Sequence, residues 1–176
     1  MKTIPSAALA ISLGLFSAYS MAIDGTIEFI GDINSNTCAV SVNDGNGGTT
    51  VNMGSVQVSS LKKANDIAGG ASFVLSIVQD DKCDLTGKTG SVRFTTMSGT
   101  AGDKQQYLAL KSVDGVAKNV AIRIMDENDN VMDIGSDTTQ KYDLTKPIRF
   151  TANYIATGEA VAGKADAKAG FIISYK

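Results

Sequence analysis

The sequence contains no histidine, only two cysteines, and only two prolines, one of which falls within the first ten residues. Without histidine the usual general base of a nucleophilic triad is missing. With one thiol pair and no imidazole, the residue types of a structural or catalytic zinc site are also missing. The apolar stretch from Ala7 through Phe16 is too short for a membrane-spanning helix, which needs about 20 residues. Charge is nearly balanced, 16 basic against 18 acidic side chains, so nothing argues for nucleic acid or an anionic membrane as partner. No internal repeat and no low-complexity linker interrupts the chain.

The first 22 residues read as a leader. Lys2 supplies a positive start, the apolar stretch follows, and Ser20-Met21-Ala22 provides small residues around a cleavage position. Cleavage after Ala22 leaves 154 of the 176 residues, beginning at Ile23, with 15 basic and 18 acidic side chains. That is a single domain of ordinary size. Both cysteines, Cys38 and Cys83, lie in the exported part, where an even count makes one disulfide the default.

The exported part reads as short alternating strands separated by turn chemistry. Strands are expected over 26–33, 37–42, 71–78, 91–97, 107–113, 119–125, 148–156 and 171–175. Clusters at 43–48, 87–90, 98–103 and 126–130 supply the turns, and 62–66 could hold one helical turn. Strands at this spacing point to an antiparallel sandwich of immunoglobulin type.

Little in the chain looks catalytic. No nucleophile elbow is present. The run Asp126-Glu127-Asn128-Asp129-Asn130 resembles the start of a calcium loop, but Val131 stands where that loop needs glycine and Asp137 where it needs glutamate. It reads instead as a hairpin turn between Ile124 and Val131. Gly-x-Gly spacings join no strand to a helix, so phosphate binding has no support. The sequence is not that of an enzyme, and no cofactor is implied.

The two ends carry the information. Phe171, Ile173 and Tyr175 fall on one side of a final strand, with Ile172 and Ser174 on the other. Near the mature N-terminus, Ile27, Phe29, Gly31 and Ile33 share one face, and Glu28, Ile30 and Asp32 the other. Glycine within a strand weakens it unless something must approach closely there. From periodicity alone this segment could be an ordinary first strand or a strand meant for another molecule.

A resemblance bears on that choice. The order and spacing of 26–33, Cys38-Ala39-Val40, Cys83, Val120-Ala121-Ile122-Arg123-Ile124 and 150–158 resemble a type 1-like fimbrial subunit of the chaperone–usher pathway. The alternating close, with a penultimate Tyr175 and with Gly163 fourteenth from the end, belongs to the same likeness. The resemblance implies an incomplete immunoglobulin-like sandwich lacking its last strand, with an N-terminal donor-strand extension. It implies a leader at 1–22, a donor extension at 23–34 and a pilin domain at 35–176. Ile27, Phe29, Gly31 and Ile33 would form the donor face. Gly163, Phe171, Ile173 and Tyr175 would form the acceptor edge, contacted first by a periplasmic chaperone and later, at an outer-membrane usher, by the next subunit. Cys38–Cys83 would tie the start of the fold to the second core strand, with an unusually long gap between Ile77 and Cys83. The implied function is head-to-tail polymerisation into an adhesive surface pilus. A minor adaptor subunit of the same pilus and a self-contained secreted binding module are the alternatives.

Overall fold

The computed structural model describes residues 38–43 and 49–175. The leader and the N-terminal segment carrying Ile27, Phe29, Gly31 and Ile33 lie outside those residues. Nine strands occur among the described residues: β1 (Ala39–Asn43), β2 (Ile67–Val78), β3 (Thr89–Thr96), β4 (Thr100–Ala101), β5 (Tyr107–Ala109), β6 (Lys118–Asp126), β7 (Tyr142–Asp143), β8 (Ile148–Val161) and β9 (Ala169–Tyr175). They form a six-stranded sheet in the order β1-β2-β8-β6-β5-β4 and a three-stranded sheet in the order β7-β3-β9, with antiparallel ladders throughout.

Alternation along each strand explains how the sheets meet. Phe73 and Leu75 of β2, Ile122 and Ile124 of β6, and Ile148, Phe150, Ala152 and Tyr154 of β8 are buried, separated by residues with more exposure. From the smaller sheet, Val92 and Phe94 of β3 and Ile173 of β9 join the same core. Phe150 is at its centre, with ring centroids 5.6 Å from Phe73, 5.0 Å from Phe94 and 5.9 Å from Tyr142. Phe94 lies edge-on to Phe150, a geometry that sets positive ring edge against negative ring face. This is an antiparallel sandwich of the incomplete immunoglobulin type.

Several local expectations change. The helical turn expected at 62–66 is absent. Asn65 is in the left-handed region (φ 71°), and the Asp66 carboxylate accepts the Lys63 N–H at 2.9 Å. A single 3-10 turn lies just before it, at Val58–Ser60. The strand expected over 107–113 pairs only at Tyr107–Ala109. Beyond it the chain turns toward the segment before β9, where the Lys111 N–H donates to the Asp166 oxygen at 2.7 Å. The hairpin expected at 126–130 is present: Met125 bridges Val131, and Asp126 Oδ1 accepts the N–H groups of Asn128 and Asn130, each at 2.9 Å.

Candidate functional site

β9 has a neighbour on only one side among the described residues. It pairs with β3 in the register Phe94↔Phe171, Val92↔Ile173 and Gly90↔Tyr175. The direction of its backbone groups follows from what lies beyond β3. There the Gly135 N–H donates to the Phe94 oxygen at 2.7 Å, and the Val92 N–H donates to Thr138 Oγ1 at 3.2 Å. Val92 and Phe94 thus turn their backbone groups away from β9. In an antiparallel ladder their partners must do likewise. Ile173 and Phe171 therefore present N–H and C=O along the open side, and alternation extends this to Ala169 and Tyr175.

The same residues carry the apolar face. Ile173 is buried, and Phe171 and Tyr175 pack half-buried against the core. Ile172 and Ser174 face outward. An edge with unpaired backbone groups and half-covered apolar side chains is a template for another strand.

A second apolar rail lies nearby. In residues 51–56, Val51, Met53 and Val56 pack on the core while Asn52, Gly54 and Ser55 are exposed, so the segment alternates like a strand yet joins no ladder. A cleft of about 290 Å³ lies between Gly54-Ser55-Val56 and the Gly163, Ala165 and Asp166 stretch leading into β9. Tyr154 lines it and donates its hydroxyl to the Ala165 oxygen at 3.5 Å. Burial, with the Asp166 charge adding, pushes the Tyr154 phenol above its ordinary value.

A family model described as "Fimbrial protein" matches residues 23–176. The chain belongs to the fimbrial protein family. It is 30% identical to the type-1 fimbrial protein, C chain, of Escherichia coli, over 94% of this chain and 97% of that one. It is 31% identical to a fimbrial subunit type 1 of Klebsiella pneumoniae, over 100% and 99% of the two chains. Among solved structures, the P pilus rod subunit PapA shares the fold with a TM-score of 0.54 at 19% identity, covering 86% of this chain and all of that one. The family is structural rather than enzymatic.

Within this fimbrial subunit, Phe171, Ile173 and Tyr175 come together on one side of one strand. Gly163 stands apart from them. It precedes β9 by six residues, on the wall of the cleft, and its lack of a side chain answers to the backbone of residues 115–117. Cys38 and Cys83 form a disulfide with Cα atoms 5.0 Å apart. Cys83 does not lie in the second core strand, however: β2 ends at Val78, and a turn in which the Cys83 N–H donates to the Asp80 oxygen at 2.9 Å takes up the long gap. The bridge ties the start of β1 to that turn, and the Tyr175 hydroxyl donates to Cys38 Sγ at 3.7 Å. The end of β9 is thereby linked to the disulfide.

Residues 51–56 had no signal in the sequence beyond a weak alternation, and Tyr154 was marked only as part of the strand expected over 148–156 and of the 150–158 stretch, not as a lining of this cleft. No group of three acidic or cysteine side chains converges as a metal site among the described residues. In the most acidic run, Asp126 is engaged by its own hairpin, with Asn130 Nδ2 donating to Oδ2 at 3.0 Å.

Proposed function

We propose that this fimbrial subunit polymerises head-to-tail by donor-strand exchange into an adhesive surface pilus. The segment 23–34 of one copy adds to the open side of β9 in the next, with Ile27, Phe29, Gly31 and Ile33 turned inward. The observation that carries the reading is the coincidence on β9 of outward backbone groups with the apolar residues Phe171, Ile173 and Tyr175. A strand added there gains hydrogen bonds and fills the core from the same side. Burying three large side chains at about 1.5–3 kcal/mol each contributes roughly 5–9 kcal/mol before ordering costs. Backbone hydrogen bonds add about 1 kcal/mol each.

Before assembly the edge is an aggregation hazard. A periplasmic chaperone would cover it by lending a strand, a mode of recognition known as strand addition. At an outer-membrane usher the next subunit's extension would replace that strand. In this reading 1–22 is a cleaved leader, 23–34 the donor and 35–176 the pilin domain. One donor and one acceptor per subunit, in a contact that does not close, generate a filament.

The test is to produce residues 34–176 alone and add a peptide spanning 23–34. Low stability alone and a large rise in melting temperature with the peptide are expected. A truncated chain that is fully stable and indifferent to the peptide would sink the reading.

A further inference from the structure

The connections between strands gather at two ends of the sandwich, and the ends differ in charge. At one end Ala39 of β1 faces Val78 of β2, Asp126 of β6 faces Phe150 of β8, and Tyr175 of β9 faces Gly90 of β3. Residues 79–88, 126–130 and 143–147 lie there, with seven acidic against three basic side chains. Residues 57–66, 97–106, 110–118 and 159–168 lie at the other end, with seven basic against five acidic. Nearly neutral in total, the chain is polarised along its strands, net −4 at one end and +2 at the other.

Each end has a landmark. At the acidic end the Cys38–Cys83 bridge, with Cα atoms 5.0 Å apart, sets Cys38 beside the turn that carries Asp80, Asp81 and Asp84, all exposed. Asp80 and Asp84 accept the N–H groups of Lys82 and Thr86, each at 2.9 Å, and bonds from neutral amides leave the carboxylate charge in place. At the basic end Lys62, Lys63 and Lys164 are exposed and in no ion pair among the described residues. They adjoin Leu61, Gly163 and Ala165, which line the cleft leading into β9.

We propose that the acidic end around Cys38 of one subunit docks on the basic rim formed by Lys62, Lys63 and Lys164 of its neighbour, and that this contact orients subunits as they meet. The inference rests on the strand-exchange reading. There, residues 35–37 alone separate the donor segment from Cys38, a reach of at most about 14 Å from residue 34. A subunit that lends its strand therefore brings its acidic end close to the acceptor. Against the acceptor's own acidic end it would meet like charge, and against the cleft rim it meets opposite charge. Attraction over this distance is felt at low salt and screened at physiological ionic strength, where the Debye length is about 8 Å. Complementary ends of this kind act chiefly on the rate of encounter and on the rejection of wrong orientations.

Charge reversal with repair tests the contact. Fibre growth from the full chain would be followed by light scattering at low and at high ionic strength. One variant carries Lys62→Glu and Lys63→Glu, the other Asp80→Lys and Asp81→Lys, and Asp81→Lys alone serves if Asp80→Lys disturbs its turn. At low salt each variant alone should grow at least about tenfold more slowly than the parent, and the difference should shrink at high salt. Mixed in equal amounts, or with all four substitutions in one chain, they should regain most of the parental rate, because opposite ends face each other again. The 23–34 peptide carries none of these residues and should stabilise every truncated variant as it does the parent. Growth indifferent to salt and to both reversals overturns the docking contact, and so does slowing that neither mixing nor combination repairs. In both cases strand exchange stands if the peptide still stabilises the truncated parent. If the peptide fails, strand exchange falls and the docking contact with it.

Discussion

The main chain at Gly163 presses on the main chain at Val116: a β-carbon at 163 would come within 2.6 Å of the Val116 carbonyl carbon and 2.5 Å of the Gly115 oxygen. Hydrogen bonds fix the approach from both sides, Lys164 N–H to the Gly115 oxygen and Ala117 N–H to the Lys164 oxygen, each at 2.8 Å. Everything the new atom would meet is backbone, so no side chain can rotate away. Gly163→Ala should cost about 1–3 kcal/mol, as overpacking does. In a domain of this size that lowers the melting temperature by roughly 2–4 °C per kcal/mol. The measurement is thermal unfolding of the peptide-complemented subunit, and an unchanged melting temperature would mean that the two segments do not hold this contact in solution.

The centre of the core makes a sharper prediction. Phe150 is 1% exposed and contacts aromatic rings from β2, β3 and β7. Phe150→Ala should destabilise by about 3–5 kcal/mol, because neighbours from three strands cannot all collapse into the space. Phe150→Leu should cost clearly less. Denaturant titration of both variants, with unchanged slope and shifted midpoint, checks this.

Acid should act through a small set of aspartates. Burial pushes Asp126 up, but hydrogen bonds from the Asn130 side chain, the N–H groups of Asn130 and Asn128, and Tyr142 together hold it below the usual carboxylate value. The Thr145 hydroxyl and Lys146 draw Asp143 down to about 2. The Arg93 guanidinium lowers Asp137. Each folded value lies below the unfolded value of about 3.9, so these groups stabilise the fold above that pH. Their contribution is lost as pH falls below that value through the lowered folded values, of which that of Asp143 reaches about 2. At the other extreme, burial and the Asp126 charge raise Tyr142 to about 12, so stability should fall again as pH rises from about 10 toward 12. A flat plateau at neutral pH, with loss at both ends, is the expected profile in equilibrium unfolding. Asp126→Asn should flatten the acid limb, and an unaltered limb would remove Asp126 from this account.

The features legible in the sequence share a physical reason. Strands such as β8 and β9 have one face in the core, so their apolar period survives in the sequence even though β9 is an edge. The two-residue strands Thr100–Ala101 and Tyr142–Asp143 carry no period at all, and nothing local marks them. Leu108 and Leu110 are both buried, so alternation runs on past Ala109 although the ladder stops there. The outer rail at 51–56 was hidden for the opposite reason. Its alternation is short and interrupted by Gly54, and its only witness is the core it rests on. For Gly163 the sequence marked the position, but the cause lies in a main-chain approach between residues 115–117 and 163, almost fifty positions apart, which no local pattern encodes.

The strands that end a sheet have very unequal lengths: five residues in β1, two in β4, two in β7 and seven in β9. Beyond β7, the far side of β3 is occupied by residues 135–138. In the strand-exchange reading proposed above, and in the language of polymer chemistry, the subunit is a bifunctional monomer, with one reactive edge and one reactive tail. Bifunctional monomers form linear chains whose length is set by supply and by capping, whereas a third reactive edge would branch them into a gel. In that reading, keeping β4 and β7 to two residues removes two of the edges at which a fibre could branch.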